Sequence, residues 1–348
     1  MTWHVRPIQP QEEEPFLSFL SDWVKDISVR KRYQWLYQNN PHGKALTWLA
    51  IDTQTDRIVG CTSVFPKKLW LNDRVILGSA GGDTYVDPLW RRKGIAETLY
   101  RVELKEMQES GIRFMYGFPL AANLRALCKA GAHLPGHFSS PRLFVSLHPF
   151  LSKVKLDGIV PQGALKALDK IFIKATSLRT LKSSETRHAI LDFNDFDETF
   201  GTLTQEIAPF FNICGVRDGS YLRWRFLDNP FRRYILKKAV RKEDGRLDGF
   251  TAIEISGKNG TISDFFARPE EGVVEALLMG VIRFGVSKSL HSLSLMMNPA
   301  GPYYKNFIRC GFGCDRSDKK TFEVFGDVEK DGLKDLKNWY LTLSDLDI

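Results

Sequence analysis

The residues best able to do chemistry form one run, Asp83-Thr84-Tyr85-Val86-Asp87-Pro88-Leu89-Trp90-Arg91-Arg92-Lys93-Gly94-Ile95-Ala96. Apolar alternation ahead of Asp87 predicts a strand, Pro88 and the basic cluster predict a loop, and Gly94 turns the chain into a helix. Glycine tolerates backbone angles closed to larger residues and allows another backbone to approach. The unpaired N–H groups of a helix start can grip a pyrophosphate, and Arg91, Arg92 and Lys93 add positive charge beside it. Tyr85 and Val86 could offer strand backbone groups to an extended, amide-containing arm. On spacing and charge, an anion grip and a charged loop before an ordinary surface helix fit equally well. The pattern is neither a phosphate loop ending in Lys-Ser/Thr nor the glycine-rich dinucleotide turn.

Other reactive side chains are weaker candidates. Asp83, on the strand that enters the run, is the best placed base, although a structural role suits it as well. Asp87 suits a loop cap. Cys128 lacks a His partner in the sequence pattern, so buried or incidental use is favoured over a nucleophile. Cys61, Cys128, Cys214, Cys310 and Cys314 are odd in number and widely spaced, which argues against a disulfide framework and a zinc site. Tyr37, Tyr85, Tyr303 and Tyr304 suit either a cleft wall or aromatic packing.

The elements that must position these groups can be read from periodicity. Strands are predicted over 2–7, 46–52, 58–67, 70–72 and 75–86, a helix over 12–24, and the helix after the basic loop over 94–109. A strand over 114–118, a short helix over 123–129 ended by Gly131, and a strand over 142–147 complete one α/β domain, residues 1–148. Residues 149–185 read as a linker with a helix near Gly163 to Ile173, and residues 186–348 as a second domain. There, strands near 189–191, 234–241, 249–256, 260–266, 292–297 and 321–325 alternate with helices near 195–207, 272–288 and 303–308, in the order of the first half. Tyr33-Gln-Trp-Leu-Tyr-Gln-Asn-Asn-Pro41 is echoed by Tyr221-Leu-Arg-Trp-Arg-Phe-Leu-Asp-Asn-Pro230, and with the matching order of elements the echo predicts a duplication.

The chain has 348 residues, 43% of them hydrophobic, which is material for two packed cores. Its longest apolar runs are too short for a membrane span, and the first residues lack an apolar signal core, so the expected location is cytoplasmic. The formal charge is +8, with Lys and Arg in excess between Lys153 and Arg187. A solvated face explains that excess better than nucleic-acid binding, because no nucleic-acid motif accompanies it.

The run at Asp83–Ala96 resembles motif A of the GNAT (GCN5-related N-acetyltransferase) superfamily, Gln/Arg-x-x-Gly-x-Gly/Ala. The pattern falls on Arg91, Gly94 and Ala96, and the usual Val-x-Pro on Val86 and Pro88. The resemblance implies two tandem GNAT-like α/β domains, each a mixed, mostly antiparallel sheet flanked by helices. It also implies an acetyl-CoA or related acyl-CoA cofactor, with the pantetheine arm on the backbone of Tyr85 and Val86. The pyrophosphate is then expected against Arg92, Lys93, Gly94, Ile95 and Ala96, and Asn123 beside the acyl arm or acceptor. The corresponding region of the second half, Asp264-Phe-Phe-Ala-Arg-Pro-Glu-Glu-Gly272, lacks the Arg-rich loop and carries two acids that would repel phosphate, so that domain is expected to be degenerate.

The reaction so implied is acetyl transfer from acetyl-CoA to an amine, with a small amine or amino sugar favoured and a peptide acceptor open. Transfer of a longer acyl or aminoacyl group, and a noncatalytic acyl-CoA-binding regulator, are the alternatives. One departure bears on mechanism: the helix Tyr that GNAT enzymes use to protonate the departing thiolate is Leu127 in this chain.

Overall fold

The computed structural model describes residues 2–149, 163, 187–270, 272–314, 318–329 and 331–346. The predicted linker helix and most of the basic stretch after Lys153 lie outside the described residues. The first half runs β1 (Trp3–Pro7), α1 (Glu13–Ser21), α2 (Val29–Arg32), β2 (Leu46–Asp52), β3 (Ile58–Leu71), β4 (Arg74–Val86), α3 (Ile95–Glu109), β5 (Phe114–Gly117), α4 (Ala121–Ala130), β6 (His133–Ser139) and β7 (Arg142–Phe144). The second half begins with β8 (His188–Phe193), α5 (Glu198–Ile207), β9 (Ile213–Gly215), α6 (Gly219–Phe226), β10 (Tyr234–Arg241) and β11 (Leu247–Ser256). It continues with β12 (Asn259–Ala267), α7 (Val273–Ser287), β13 (Ser292–Leu295), α8 (Tyr304–Arg309), β14 (Lys319–Gly326) and β15 (Trp339–Tyr340).

Two mixed, mostly antiparallel sheets result, each flanked by helices. The first has the order β1-β2-β3-β4-β5-β14-β6, and the second β7-β13-β12-β11-β10-β8. The halves therefore exchange strands. β14, from late in the chain, pairs antiparallel with β5 and β6 in the first sheet, while β7 pairs antiparallel with β13 in the second. β9 adds to β3 through Leu69–Leu71, and β15 adds to β9.

Helix α3 shows how the first core is built. Ile95, Leu99, Tyr100, Glu103 and Met107 are its buried residues, a single stripe at helical spacing that faces the sheet. Gly111, with φ +81°, follows its end, and Gly131, with φ +109°, ends α4; both supply the left-handed angle that commonly ends a helix. The stripe contains one acid, Glu103, packed among apolar neighbours.

The repeated aromatic segments meet each other. Trp35 and Trp224, each six residues before its Asn-Pro proline, stack at 4.8 Å between centroids. Trp35 Nε1 donates to the Trp224 carbonyl at 3.1 Å, and Trp224 Nε1 donates to the Trp35 carbonyl at 3.0 Å. This reciprocity is the contact pattern of a two-fold interface, here inside one chain. Tyr33–Gln38, which holds Trp35, forms a π-helical turn. Beneath this contact the C-terminal residues tie the halves together. Asp345 accepts from the buried Arg217 at 2.8 Å and lies 3.1 Å from Lys67 of β3, and its carbonyl accepts from Tyr116 at 2.6 Å. Burial lowers the Lys67 ammonium to about 8 despite that ion pair.

Candidate active site

β4 carries the site because its two neighbours treat it differently. β3 pairs with it along its whole length, from Leu71–Arg74 to Gly60–Val86. β5 pairs with it in parallel only through Ser79–Met115 and Ala80–Tyr116. Beyond Ala80 the two strands part, and β4 runs on to Val86 with a free edge. Small residues shape the fork, since a Cβ on Gly81 would collide with Sδ of Met115, which lies across the strand there. Opposite Thr62 a register shift puts Asp83 and Thr84 where one residue would pair, and Asp83 adopts φ +50°. This is a β-bulge, which re-aims side chains and bends its strand; Asp is among the few residues that tolerate the angle.

A cleft of about 700 Å³ fills the fork. Its walls are Gly81–Thr84 of β4, the segment Met115–Ala121, Asn123, Leu124 and Leu127 of α4, and Thr321 and Glu323 of β14. The Thr84 carbonyl accepts a long bond, 3.5 Å, from Asn123 Nδ2, and the Val86 carbonyl accepts from Arg91 Nε at 3.1 Å. Peptide groups alternate between the edges of a strand, so 84 and 86 face the fork while the peptide groups of Tyr85 face β3. The Tyr85 ring stacks on Trp23, a cleft-lining residue, at 5.3 Å between centroids.

After Val86, the Asp87 carboxylate accepts from Leu89 N at 2.8 Å and caps the turn Pro88–Trp90. Arg91, Arg92, Lys93 and Gly94 are all exposed. Lys93 Nζ sits 4.2 Å over the Trp90 ring, and Arg92 and Gly94 have φ +63° and +82°. Gly94 is the N-cap of α3, which then begins with Ile95, buried, and Ala96, half-buried. The first-turn amides of a helix have no intrahelical acceptor, so this start presents donors beside three cationic side chains. Val86, Arg91, Arg92, Lys93, Gly94, Ile95 and Ala96 are thus continuous at the mouth of the fork, with Asn123 across it.

Asp83 lines the cleft with its carboxylate already engaged. The Arg32 guanidinium forks onto it, Nη2 to Oδ1 at 3.1 Å and Nη1 to Oδ2, and the Tyr37 hydroxyl donates to Oδ2 as well. Two acids that sequence reasoning missed are held differently. Glu103 of α3 is fully buried and accepts from Thr62 Oγ1 at 2.7 Å, while its other oxygen has no partner among the described residues. Glu323 of β14 is 4% exposed, lines the cleft, and also carries a partnerless oxygen. Burial pushes both carboxyls up to about 8. Tyr100, on the cleft wall, is likewise raised by burial. A signal for Glu103 was in the sequence, because it sits on the apolar stripe of α3, four residues from Leu99 and from Met107. Glu323 gave none, because nothing local tells which sheet β14 joins.

The second half repeats the fork but fills it. β12 and β13 pair in parallel from Asn259–Ser292 to Ile262–Leu295, and β12 then continues alone on that side. There the Tyr340 hydroxyl donates to the Phe265 carbonyl, Tyr303 donates to the Ala267 carbonyl, and Ala267 N donates back to Tyr303 at 3.2 Å. About 10 Å³ of space remains beside them. Asp264 is bound by the buried Arg217 at 3.0 Å. Gly272 keeps φ +86° before α7, but Arg268, in the segment leading to it, is paired with Asp248 and Glu206.

Residues 4–126 match the family model described as the acetyltransferase (GNAT) domain. The match runs from β1 into α4 of the first half. No curated protein matches the chain, but solved structures match its two-sheet fold over most of its length. A probable N-acyltransferase of unknown function from Enterococcus faecalis V583 matches with TM-score 0.65 and 9% identity, over 94% of this chain and 74% of that one. A GCN5-related N-acetyltransferase from Anabaena variabilis matches with TM-score 0.63 and 10% identity, over 92% and 72%. A tandem GNAT protein from the clavulanic acid biosynthesis pathway matches with TM-score 0.55 and 13% identity, over 93% and 98%. At such identities the likeness is one of fold. Among the described residues, no helix is long and apolar enough to cross a membrane.

Proposed function

We propose that this protein is an acyl-CoA-dependent N-acyltransferase that holds its cofactor in the first half. The observation that carries the reading is the fork between β4 and β5 opening directly onto the Gly94 helix start. A free strand edge suits an amide-bearing pantetheine arm. A cationic loop with unpaired helix amides suits a pyrophosphate. Val86 and Asn123 would hold the arm, and Arg92 to Ala96 the phosphates, with Arg91 steadying the strand end through the Val86 carbonyl. Acyl-CoA supplies the activated thioester, while the chain's residues orient it, exclude water and accept the amine's proton.

In this reading Asp83 holds the bulge in shape through Arg32 and Tyr37. The second half has no cofactor role, since Tyr303 and Tyr340 occupy the corresponding edge. It supplies part of the cleft through β14 instead. Acetyl is the favoured acyl group and a small amine or amino sugar the favoured acceptor.

Release of CoA thiol from acetyl-CoA across a panel of primary amines tests the proposal. Turnover by the wild-type chain, with Gly94→Asp inactive, supports it. Binding without turnover of acetyl-, longer acyl- or aminoacyl donors would favour the regulatory reading, for which the replacement of the helix Tyr by Leu127 speaks. Absence of acyl-CoA binding would overturn the proposal.

A further inference from the structure

We propose that Glu323, delivered into the first sheet by a strand from the second half of the chain, is the catalytic base that takes the proton from the acceptor amine. The inference rests on the acyltransferase reading and names a residue for its chemical step. Acyl transfer to an amine needs a proton acceptor within reach of the attacking nitrogen. Three carboxyls surround the cleft. Asp83 is engaged by Arg32 and Tyr37. Glu103 is fully buried behind the hydrogen-bonded hydroxyls of Thr62 and Thr84, which are 2.8 Å apart. Glu323 alone of the three combines a place on the cleft wall with an oxygen free of any partner among the described residues.

Its position is fixed by pairing. Glu323 lies opposite Gly117 on β5, the strand that forms the far side of the fork, and its Oε1 would stand 3.1 Å from a Cβ there. Gly117 therefore leaves the carboxyl room to reach over β5 toward the point where the strands part. The titratable side chains that line the cleft with it are Asp83 of β4, Tyr100 of α3, Tyr116 of β5, and Lys319 and Lys320 on β14 itself; Glu103 of α3 is buried, and His133 and His137 stand on β6, which pairs with β14. The Tyr116 hydroxyl is committed to the Asp345 carbonyl. Burial raises Glu323 to about 8. A carboxylate so placed is a strong base once ionised.

The neutral amine nitrogen bonds to the acyl carbon, the carbon–sulfur bond breaks with its electron pair on sulfur, and the N–H proton passes to the Glu323 carboxylate. Solvent protonates the thiolate and later takes the proton from Glu323. The exchanged strand thereby makes turnover in the first domain depend on the second.

The test compares full-length wild type with Glu323→Gln, using acetyl-CoA and glucosamine, spermidine, lysine and a short peptide with a free α-amine as acceptors. On the acceptor with the greatest wild-type turnover, kcat should fall about 100-fold or more, the scale of a lost general base, while acetyl-CoA Kd stays within about twofold. The wild-type rise of kcat with pH, levelling above about 8, should be absent from the variant. If Glu323→Gln does not fold, Glu323→Asp should show at least about a tenfold loss of kcat with acetyl-CoA KM unchanged. A wild type that turns over and a variant with equal kcat and an unchanged pH profile would overturn this inference and leave the acyltransferase reading standing. A wild type that releases no CoA with any of these acceptors would overturn both.

Discussion

Glu103 gives a prediction that needs no ligand. Burial raises its carboxyl from 4.5 to about 8, the Thr62 hydroxyl offsets part of that, and Glu323 adds to it. An acid held more tightly protonated in the folded state costs stability once the solution is alkaline enough to ionise it in the unfolded chain. That cost is absent below about pH 4.5, grows as pH rises, and is complete above about 8. At about 1.4 kcal/mol per pH unit it reaches at most about 5 kcal/mol, and about 3 kcal/mol at pH 7. Glu103→Gln removes it, because glutamine imitates the protonated acid and its carbonyl can still accept from Thr62. Glu323 is present in both proteins and largely cancels in the comparison. Urea unfolding of both at pH 5, 7 and 9 reads the difference from the midpoints and slopes. The variant should be close to wild type at pH 5 and increasingly the more stable at pH 7 and 9. A difference that does not change with pH, or a variant less stable than wild type at pH 9, would refute the reasoning.

Three further outcomes follow from packing and charge. Trp35→Ala removes one half of the reciprocal Trp35–Trp224 contact and should cost about 3–5 kcal/mol in chemical denaturation. Arg32→Met leaves the Asp83 carboxylate, 6% exposed, with Tyr37 alone. Breaking such a buried pair should cost about 3–5 kcal/mol in the same denaturation experiment. Gly94→Ala should lower stability by about 1–2 kcal/mol, because its left-handed angle penalises a side chain although the space around it is open. Calorimetric titration should also show it weakening acetyl-CoA binding.

Much of the site was legible because its signals are local. The basic loop, Gly94 and the flanking strand and helix lie within fourteen consecutive residues, and each rests on short-range geometry. The order of elements was legible for the same reason, and the Trp-containing echo turned out to be a contact between the repeats. What was not legible depends on distance along the chain. The alternation of Thr321, Glu323 and Phe325 marks a strand but cannot say which sheet it joins, so the cleft wall it forms was hidden. The partners of Asp83, Arg32 and Tyr37, were not legible because they lie far earlier in the chain. β6 was not among the predicted strands; it carries Pro135 and Gly136 and is an edge strand, where the lost N–H of proline is tolerated. β3 was read as two pieces, 58–67 and 70–72, where the structure has one strand, Ile58–Leu71.

The central claim is an acyl-CoA grip built on the β4–β5 fork and the Gly94 helix start of the first half. Isothermal titration of the full-length chain with acetyl-CoA tests it most directly, run beside Gly94→Asp, which puts a strained residue and a negative charge at the expected phosphate site. One molecule should bind per chain, and the variant should bind none. No binding to wild type, two equivalents per chain, or equal affinity in Gly94→Asp would contradict it.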